Sequence, residues 1–335
     1  MKIGIIGPQG SGKSAVLGCL TGIDGSASIG VVGVPDPRLE VLSRMYKPRK
    51  TTPADITFAE IGCASANKLS AITGALSQTD ALAVVTGGFA YGTPAANLDS
   101  FLLDLLLADM SMVENRLARI EEDKQRGKKE SQAEKPLMER LQKALADGVR
   151  LENVEVNADE EKMLRTYQFV TRKPTLVVAN VAEGDLGNGV ASGIAEIARE
   201  HGLRSLELCA PLEGEIAQLT DDDRAAFLAD YGLDAPARDR FIRAAYELTD
   251  LISFFTVGPD ECKAWSIRRG TLAPRAAGAI HSDIERGFIR AEVVAYEDLV
   301  SGGSLQECRN KGQVRLEGKT YQVRDGDVID FRFAV

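Results

Sequence analysis

Residues 7–14 constrain this chain more than any others. Gly7-Pro8-Gln9-Gly10-Ser11-Gly12-Lys13-Ser14 fits the pattern Gly-x-x-x-x-Gly-Lys-Ser/Thr. It lies between the strand-like KIGIIG and the helix-like AVLGCL, the context in which that pattern works. Glycines let the backbone curl around phosphate oxygens, while successive N–H groups and a helix amino terminus supply positive potential. In such a loop Lys13 bridges the β and γ phosphates and Ser14 ligates Mg²⁺. The candidate phosphate site is therefore Gly7, Gln9, Gly10, Ser11, Gly12, Lys13, Ser14 and Ala15, with Lys13 as the catalytic charge. A glycine turn that binds nothing is the competing reading.

The rest of the chain has the rhythm that this loop requires. Short apolar runs recur at residues 2–6, 56–61, 81–85, 175–180 and 205–210, several of them separated by helix-like stretches. That pattern predicts a doubly wound α/β domain on a parallel sheet. It breaks where Leu106, Met110, Val113, Leu117 and Ile120 take a 4-3-4-3 spacing, followed by Leu137, Leu141 and Leu145. Two helices separated by the charge run EEDKQRGKKESQAEK, with a turn at Gly127, read as an inserted α-helical hairpin. Beyond about residue 254 the texture changes to short alternating segments, Thr320 to Val323 and Val328 to Phe333 among them, divided by Glu317-Gly318 and Asp325-Gly326. The expected domains are residues 1–98 with 173–250, an insertion at 99–172, and a small carboxy-terminal domain at 251–335.

Charge and composition exclude several classes of function. With 40 Lys and Arg against 49 Asp and Glu in 335 residues, the net −9 argues against one extended nucleic-acid surface and against DNA sequence recognition. Residues 251–335 carry 12 basic and 12 acidic groups, so all of the excess lies earlier and this end is the likelier to approach RNA. Lys263, Arg268, Arg269, Arg275, Arg286 and Arg290 stand there beside only Asp283 and Glu285. The longest uncharged run, Ala81 to Leu98, holds glycines, a proline and polar groups and does not read as a membrane span. The amino terminus lacks the apolar stretch of a secretory signal, so a cytoplasmic protein is expected. Five scattered cysteines and two histidines suggest neither disulfides nor a zinc site. Cys19 reads as buried rather than reactive, Trp265 as core and His281 as a packed or hydrogen-bonded residue, while Cys63 falls in the altered stretch after Glu60.

A base-recognition element is also visible. Asn180-Val181-Ala182-Glu183 ends the strand TLVVAN where guanine-reading NTPases carry Asn-Lys-x-Asp. A short carboxylate there accepts two N–H bonds from guanine, whereas adenine offers one exocyclic amine beside an acceptor nitrogen. The longer Glu183 and the missing lysine weaken a guanine preference. A strand that merely ends in a polar loop is the bland alternative.

At these residues the chain resembles the YchF family, also called Obg-like ATPases, translation-factor-related P-loop NTPases in which NxxE replaces NKxD. The match rests on residues 7–14, on Val34-Pro35-Asp36-Pro37-Arg38-Leu39, on LLLADMSMVENRL, on Asn180 to Glu183, and on RRGTLAPRAAGAIHSDIERGFIRAEVVAYEDL with RLEGKTYQVRDGDVIDFRF. The last two are similar to a TGS domain, a β-grasp fold. The resemblance implies a G domain interrupted by a helical coiled coil and followed by TGS. It implies ATP and/or GTP binding with Mg²⁺, slow hydrolysis, and association with ribosomes or RNA through the TGS-like part. It further implies base contacts from Asn180 and Glu183, a base pocket lined by Cys209 and Ala210, and Mg²⁺ held by Ser14 and, through its outer shell, by Glu60.

The chain departs from the family at its switches. Only TGIDGSASIG separates Leu20 from Val31, Glu60-Ile61-Gly62-Cys63 replaces Asp-x-x-Gly, the next loop shrinks to ASANKLS, and GGFAYGTP holds no histidine. These losses leave a second expectation open: a catalytically silent nucleotide-binding adaptor that engages RNA or a protein through its TGS-like and helical parts.

Overall fold

The computed structural model describes residues 1–334 apart from 24–26, 63–73, 88–92, 127–132, 188 and 234. Cys63, the ASANKLS loop, the centre of GGFAYGTP and the turn expected at Gly127 lie outside the described residues. The described strands are β1 (Lys2–Ile6), β2 (Ile29–Gly33), β3 (Lys50–Thr52), β4 (Asp55–Glu60), β5 (Ala81–Gly87), β6 (Thr175–Asn180), β7 (Arg204–Leu208), β8 (Leu251–Val257), β9 (Glu261–Arg268), β10 (Phe288–Ala295), β11 (Arg315–Glu317) and β12 (Asp327–Phe333). The helices used below are α1 (Lys13–Thr21), α2 (Pro37–Tyr46), α3 (Pro94–Gln125), α4 (Glu134–Ala146), α5 (Ala158–Leu164), α6 (Gly189–Glu200), α7 (Ala210–Ile216), α8 (Asp221–Asp230), α9 (Ala237–Leu248) and α10 (Ala273–Ile280). The chain forms two compact units, one of Lys2–Gly30 and Thr57–Phe241, the other of Met1, Val31–Ile56 and Ile242–Val335.

The first unit is built on the sheet ordered β2-β4-β1-β5-β6-β7, whose pairs from β4 to β7 are parallel. Its central strands are buried along almost their whole length, as in a sheet covered on both faces, which explains their continuous apolar character. Ile6, Leu82, Val84 and Val177 pack with Leu98, Leu102 and Leu105 of α3 and Ile194 of α6. Thr93 caps α3 by accepting from the N–H of Ala96, and Pro94 occupies its first turn, where a missing N–H costs nothing.

Helix α3 then runs 32 residues and carries the 4-3-4-3 seam outward. Leu106, Val113 and Ile120 pack there against Leu137, Met138, Leu141 and Leu145 of α4, so the hairpin read from the sequence is present. Arg116 donates two hydrogen bonds of 2.8 Å to the Glu134 carboxylate, which also accepts from Tyr167, and holds its pKa below the usual range. The insertion is anchored at its base by Asp109, a fully buried carboxylate on α3. It accepts from the backbone N–H of Val170 (2.9 Å), the N–H of Thr171 (2.7 Å) and the Thr171 hydroxyl (2.6 Å).

The second unit has a mixed sheet ordered β11-β10-β12-β8-β9-β3. Its core joins Ile252, Phe254, Ile267, Val293, Ile329 and Phe331 to Ala273, Ala276 and Ala277 of α10. The expected strand at Thr320 to Val323 is not formed. Only Gln322 makes a bridge, to Leu272, and Asp325-Gly326 turns the chain into β12, with Gly326 at φ 84°. Trp265 is half-buried rather than fully interior, its indole N–H donating to Thr256 while the Lys263 ammonium lies 3.9 Å from the ring centroid. Arg275 pairs with Glu285 and Arg286 with Asp283, the two acids already counted, and Arg269 pairs with Asp250, which lowers the basic surplus by one. His281 caps the helix that starts at Ser282, accepting from the N–H of Asp283.

The VPDPRL segment gains its meaning in this unit. Asp36 caps α2, Pro37 takes its first position, and β3 just beyond pairs in parallel with β9. Arg38 bridges Asp36 (2.8 Å) and Asp325 (2.7 Å) and lies 5.2 Å from the Phe255 ring centroid. Burial alone would raise the Asp325 pKa, but hydrogen bonds from Arg38 and the Ser253 N–H, with the Arg38 and Arg269 charges, take it below the ordinary value. Because the folded pKa lies below the unfolded one, this stabilisation is complete above about pH 4 and fades as pH falls through the folded value. Arg38→Ala should cost about 2 kcal/mol at neutral pH. It should also flatten the loss of stability between pH 5 and pH 3, a loss readable from urea midpoints and unaltered if the pair contributes nothing.

Candidate functional site

The candidate site lies entirely in the first unit, where the carboxyl ends of β1, β6 and β7 meet. The loop between β1 and α1 can exist only with glycine at its ends. Gly7 has φ 148°, and a Cβ there would stand 2.1 Å from the carbonyl oxygen of Val85. Gly12 has φ 86°, and a Cβ there would stand 2.2 Å from Asn180 Nδ2. The strand behind and the asparagine across thus hold the loop closed. Helix α1 starts at Lys13 with no side-chain cap, so the positive end of its dipole faces the loop.

Within the loop, Lys13 Nζ donates to the carbonyls of Gly7 (3.1 Å) and Pro8 (2.8 Å), curled over its own backbone. Ser11 Oγ is buried and has no hydrogen-bond partner among the described residues, an orphaned hydroxyl inside a phosphate-sized loop. Ala15 and Ser14 are exposed on the first turn. Ser14 Oγ donates to Glu60 Oε1 at 3.0 Å, which brings a hydroxyl and a carboxylate together beside the loop. Two hard oxygen donors beside a phosphate cradle suit Mg²⁺, which takes one or two protein oxygens and fills its shell with water and phosphate. Among the described residues no group of three His, Cys, Asp or Glu side chains makes a closed metal cage, and this loop does not need one.

Asn180 links the two halves of the site. It is almost fully buried at the end of β6, its Nδ2 donating to the Ser11 carbonyl (3.3 Å) and its Oδ1 accepting from the N–H of Ala210 (3.2 Å). One donor and one acceptor site of the amide remain after these bonds. Glu183 follows in a short 3-10 turn, Glu183–Asp185. Cys209 and Ala210 are buried at the start of α7, and burial pushes the Cys209 thiol pKa up. Cys19, expected to be buried, is half-buried, and desolvation takes its pKa to about 12, so it remains an inert thiol. His201 is held by Asp99 at 2.8 Å rather than by the loop.

Two features escaped the reading of the motifs. One is the orphaned Ser11 hydroxyl. The other is Tyr231, at the carboxy end of α8, whose hydroxyl donates to Glu183 Oε1 at 2.6 Å. It is one of seven tyrosines and lies 48 residues from its partner, so no local spacing announces it.

Comparisons with known proteins bear on the family and the fold. Residues 251–334 match the family model YchF-GTPase_C, described as "Protein of unknown function (DUF933)". The chain is 36% identical over 360 residues to the ribosome-binding ATPase YchF of Pasteurella multocida, covering 100% of this chain and 99% of that protein. It is 35% identical to the protein of the same name from Bacillus subtilis, with both chains covered completely. The solved structure titled as the Schizosaccharomyces pombe YchF GTPase superposes with a TM-score of 0.86 at 24% identity, covering 99% of this chain and 97% of that one, which supports the fold. Among the described residues, no helix is long and apolar enough to cross a membrane.

Proposed function

Because the chain belongs to the YchF family, we propose that it binds ATP or GTP in the loop Gly7–Ser14, hydrolyses it slowly, and acts as a ribosome-associated factor. In this reading residues 1–98 and 173–250 form the nucleotide-binding part, apart from 31–56 and 242–250, which pack in the other unit; 99–172 form the helical insertion, and 251–335 the β-grasp part that meets ribosome or RNA. The observation that carries it is Asn180, whose hydrogen bonds join the loop at Ser11 to the start of α7 at Ala210, the two places this reading gives to phosphate and base. The names of the relatives from P. multocida and B. subtilis support the ATPase and ribosome assignments.

The chain's own residues divide the work. The amides of Gly10 to Ala15 and the amino terminus of α1 accept the phosphates. Lys13 leaves the Gly7 and Pro8 carbonyls to take the β and γ oxygens, and its charge offsets the negative charge that grows during in-line transfer to water. Ser14 directly, and Glu60 through the outer shell, would hold Mg²⁺, which would neutralise phosphate charge. Asn180 directs its remaining donor and acceptor toward the base, Glu183 takes a base N–H, and Cys209 and Ala210 wall the pocket.

The test is calorimetric titration of nucleotide-free full-length protein with non-hydrolysable ATP and GTP analogues in Mg²⁺, repeated on Glu183→Asp. The parent should bind, and the shorter carboxylate should move the preference several-fold toward GTP. If neither analogue binds, the reading fails. A second reading, binding without turnover, is favoured by His201, the histidine of the unit that carries the loop, being held on Asp99. Binding of both analogues with no phosphate release from ATP or GTP would select it.

A further inference from the structure

Glu183 presents its two carboxylate oxygens unequally. Oε1 already accepts from Tyr231 at 2.6 Å, and Tyr231 is itself fixed. Its ring stacks on Phe227, with centroids 4.9 Å apart and planes 26° from parallel. Phe227 and Leu228 of the same helix pack with Cys209, Leu212, Ile216 and Leu186, the last lying just beyond the Glu183 turn. Glu207 Oε1 holds the far end of that turn by accepting from the N–H of Gly187 at 3.0 Å. Tyr231 and Glu183 are both exposed, and it is the stack on Phe227 that ties their hydrogen bond to the apolar cluster containing Cys209.

We propose that Tyr231 sets the base preference of this pocket by occupying one oxygen of the Glu183 carboxylate. The proposal rests on the base-site reading given above. Guanine presents two adjacent donors, N1–H and N2–H, which a carboxylate meets by offering both oxygens in the plane of the base. Adenine presents one donor group on that edge, the N6 amine, beside an acceptor nitrogen. With one position of Oε1 taken and the direction of the carboxylate set by the tyrosine, Oε2 is the freer acceptor; one oxygen is enough for adenine, whereas guanine needs both oxygens turned to N1–H and N2–H in its own plane and so shares the second with Tyr231. The longer reach of Glu183 compared with aspartate is what lets it meet Tyr231 and the base at once. Tyr231 is in this sense a positioning residue that acts through Glu183.

The experiment compares the affinities of the imidodiphosphate analogues of ATP and GTP, with Mg²⁺, for the parent, Tyr231→Phe, Glu183→Gln and the double variant. Tyr231→Phe keeps the ring and its stack on Phe227, so folding is not at issue, and thermal melting confirms it. The ratio of ATP to GTP affinity should fall about tenfold, mostly through tighter GTP binding, the size expected for a hydrogen bond to a charged group. In the Glu183→Gln background the same tyrosine change should leave the ratio unmoved, since its effect runs through the carboxylate. A purely structural tyrosine would weaken both nucleotides alike and leave the ratio constant in every background, which overturns the proposal. If the parent binds and responds to Glu183→Gln but not to Tyr231→Phe, the proposal fails while the base-site reading stands. If the parent binds neither analogue, both fall.

Discussion

Lys13→Ala should lose nucleotide binding by about 100-fold or more, the cost expected when one partner of a desolvated, hydrogen-bonded charge pair is removed. Lys13 is 9% exposed and is curled onto the Gly7 and Pro8 carbonyls, so its charge lies inside the curve where phosphates would enter. No neighbouring basic residue belongs to residues 3–37, so the sequence offers no local replacement. Phosphate release from ATP and GTP should fall to background in the same variant. Lys13→Met retains the apolar stem without the charge and should behave alike, which separates charge from packing. Circular dichroism and urea midpoints check that both variants stay folded. Release from Lys13→Ala at the rate of the parent would remove this loop from the chemistry.

The largest effect on stability is expected far from the nucleotide. Asp109→Ala should destabilise the first unit by about 3 kcal/mol or more, because three donors, two of them backbone N–H groups, lose their acceptor in a dry site. Burial raises the pKa of Asp109, and the bonds from Thr171 and Val170 with the charge of the buried Arg150 oppose that rise. Arg150 is held in turn by the Lys173 carbonyl and the Thr175 hydroxyl, so the start of β6 shares this network. Asp109→Asn should lie between the two, since an amide accepts at one atom only while its NH₂ would confront a backbone donor. Chemical denaturation followed by far-ultraviolet dichroism measures both. An alanine variant within about 0.5 kcal/mol of the parent, the range of ordinary surface changes, would show that the insertion is anchored by its apolar seam alone.

What the sequence disclosed and what it hid differ by range. The loop at Gly7–Ser14, the buried strands and the seam from Leu106 to Ile120 were legible because each is written in consecutive residues or a fixed period. Strand β6 and its terminal Asn180 were legible for the same reason. The double bond of Asn180 to Ser11 and Ala210 was not, since the first partner is 169 positions away. Asp109, a charged residue on the seam helix, gives no signal in the sequence, because its partners at 170 and 171 carry no special pattern. Thr320 to Val323 alternates as a strand should, yet it forms only the Gln322–Leu272 bridge, closed by the Ala273 N–H on the Tyr321 carbonyl and the Val323 N–H on the Thr271 carbonyl. Alternation records which face a residue shows, and it cannot say whether a partner strand lies alongside. Residues 31–56 were the hardest to place, since nothing local tells that β3 completes the edge of a sheet whose other strands begin at Leu251.

That last placement bears on how the protein is made. Translation delivers α2 and β3 early, while their partners in β8 and β9 follow roughly 200 residues later, about 10–40 s at ordinary bacterial elongation rates. During this interval Arg38 has no Asp325 and β3 has no β9, so the amino-terminal portion of the second unit must wait as unpaired chain while the first unit has time to gather its strands. Vectorial synthesis thus favours completing the nucleotide-loop unit first, and the β-grasp sheet closes only after residues 251–333 have emerged.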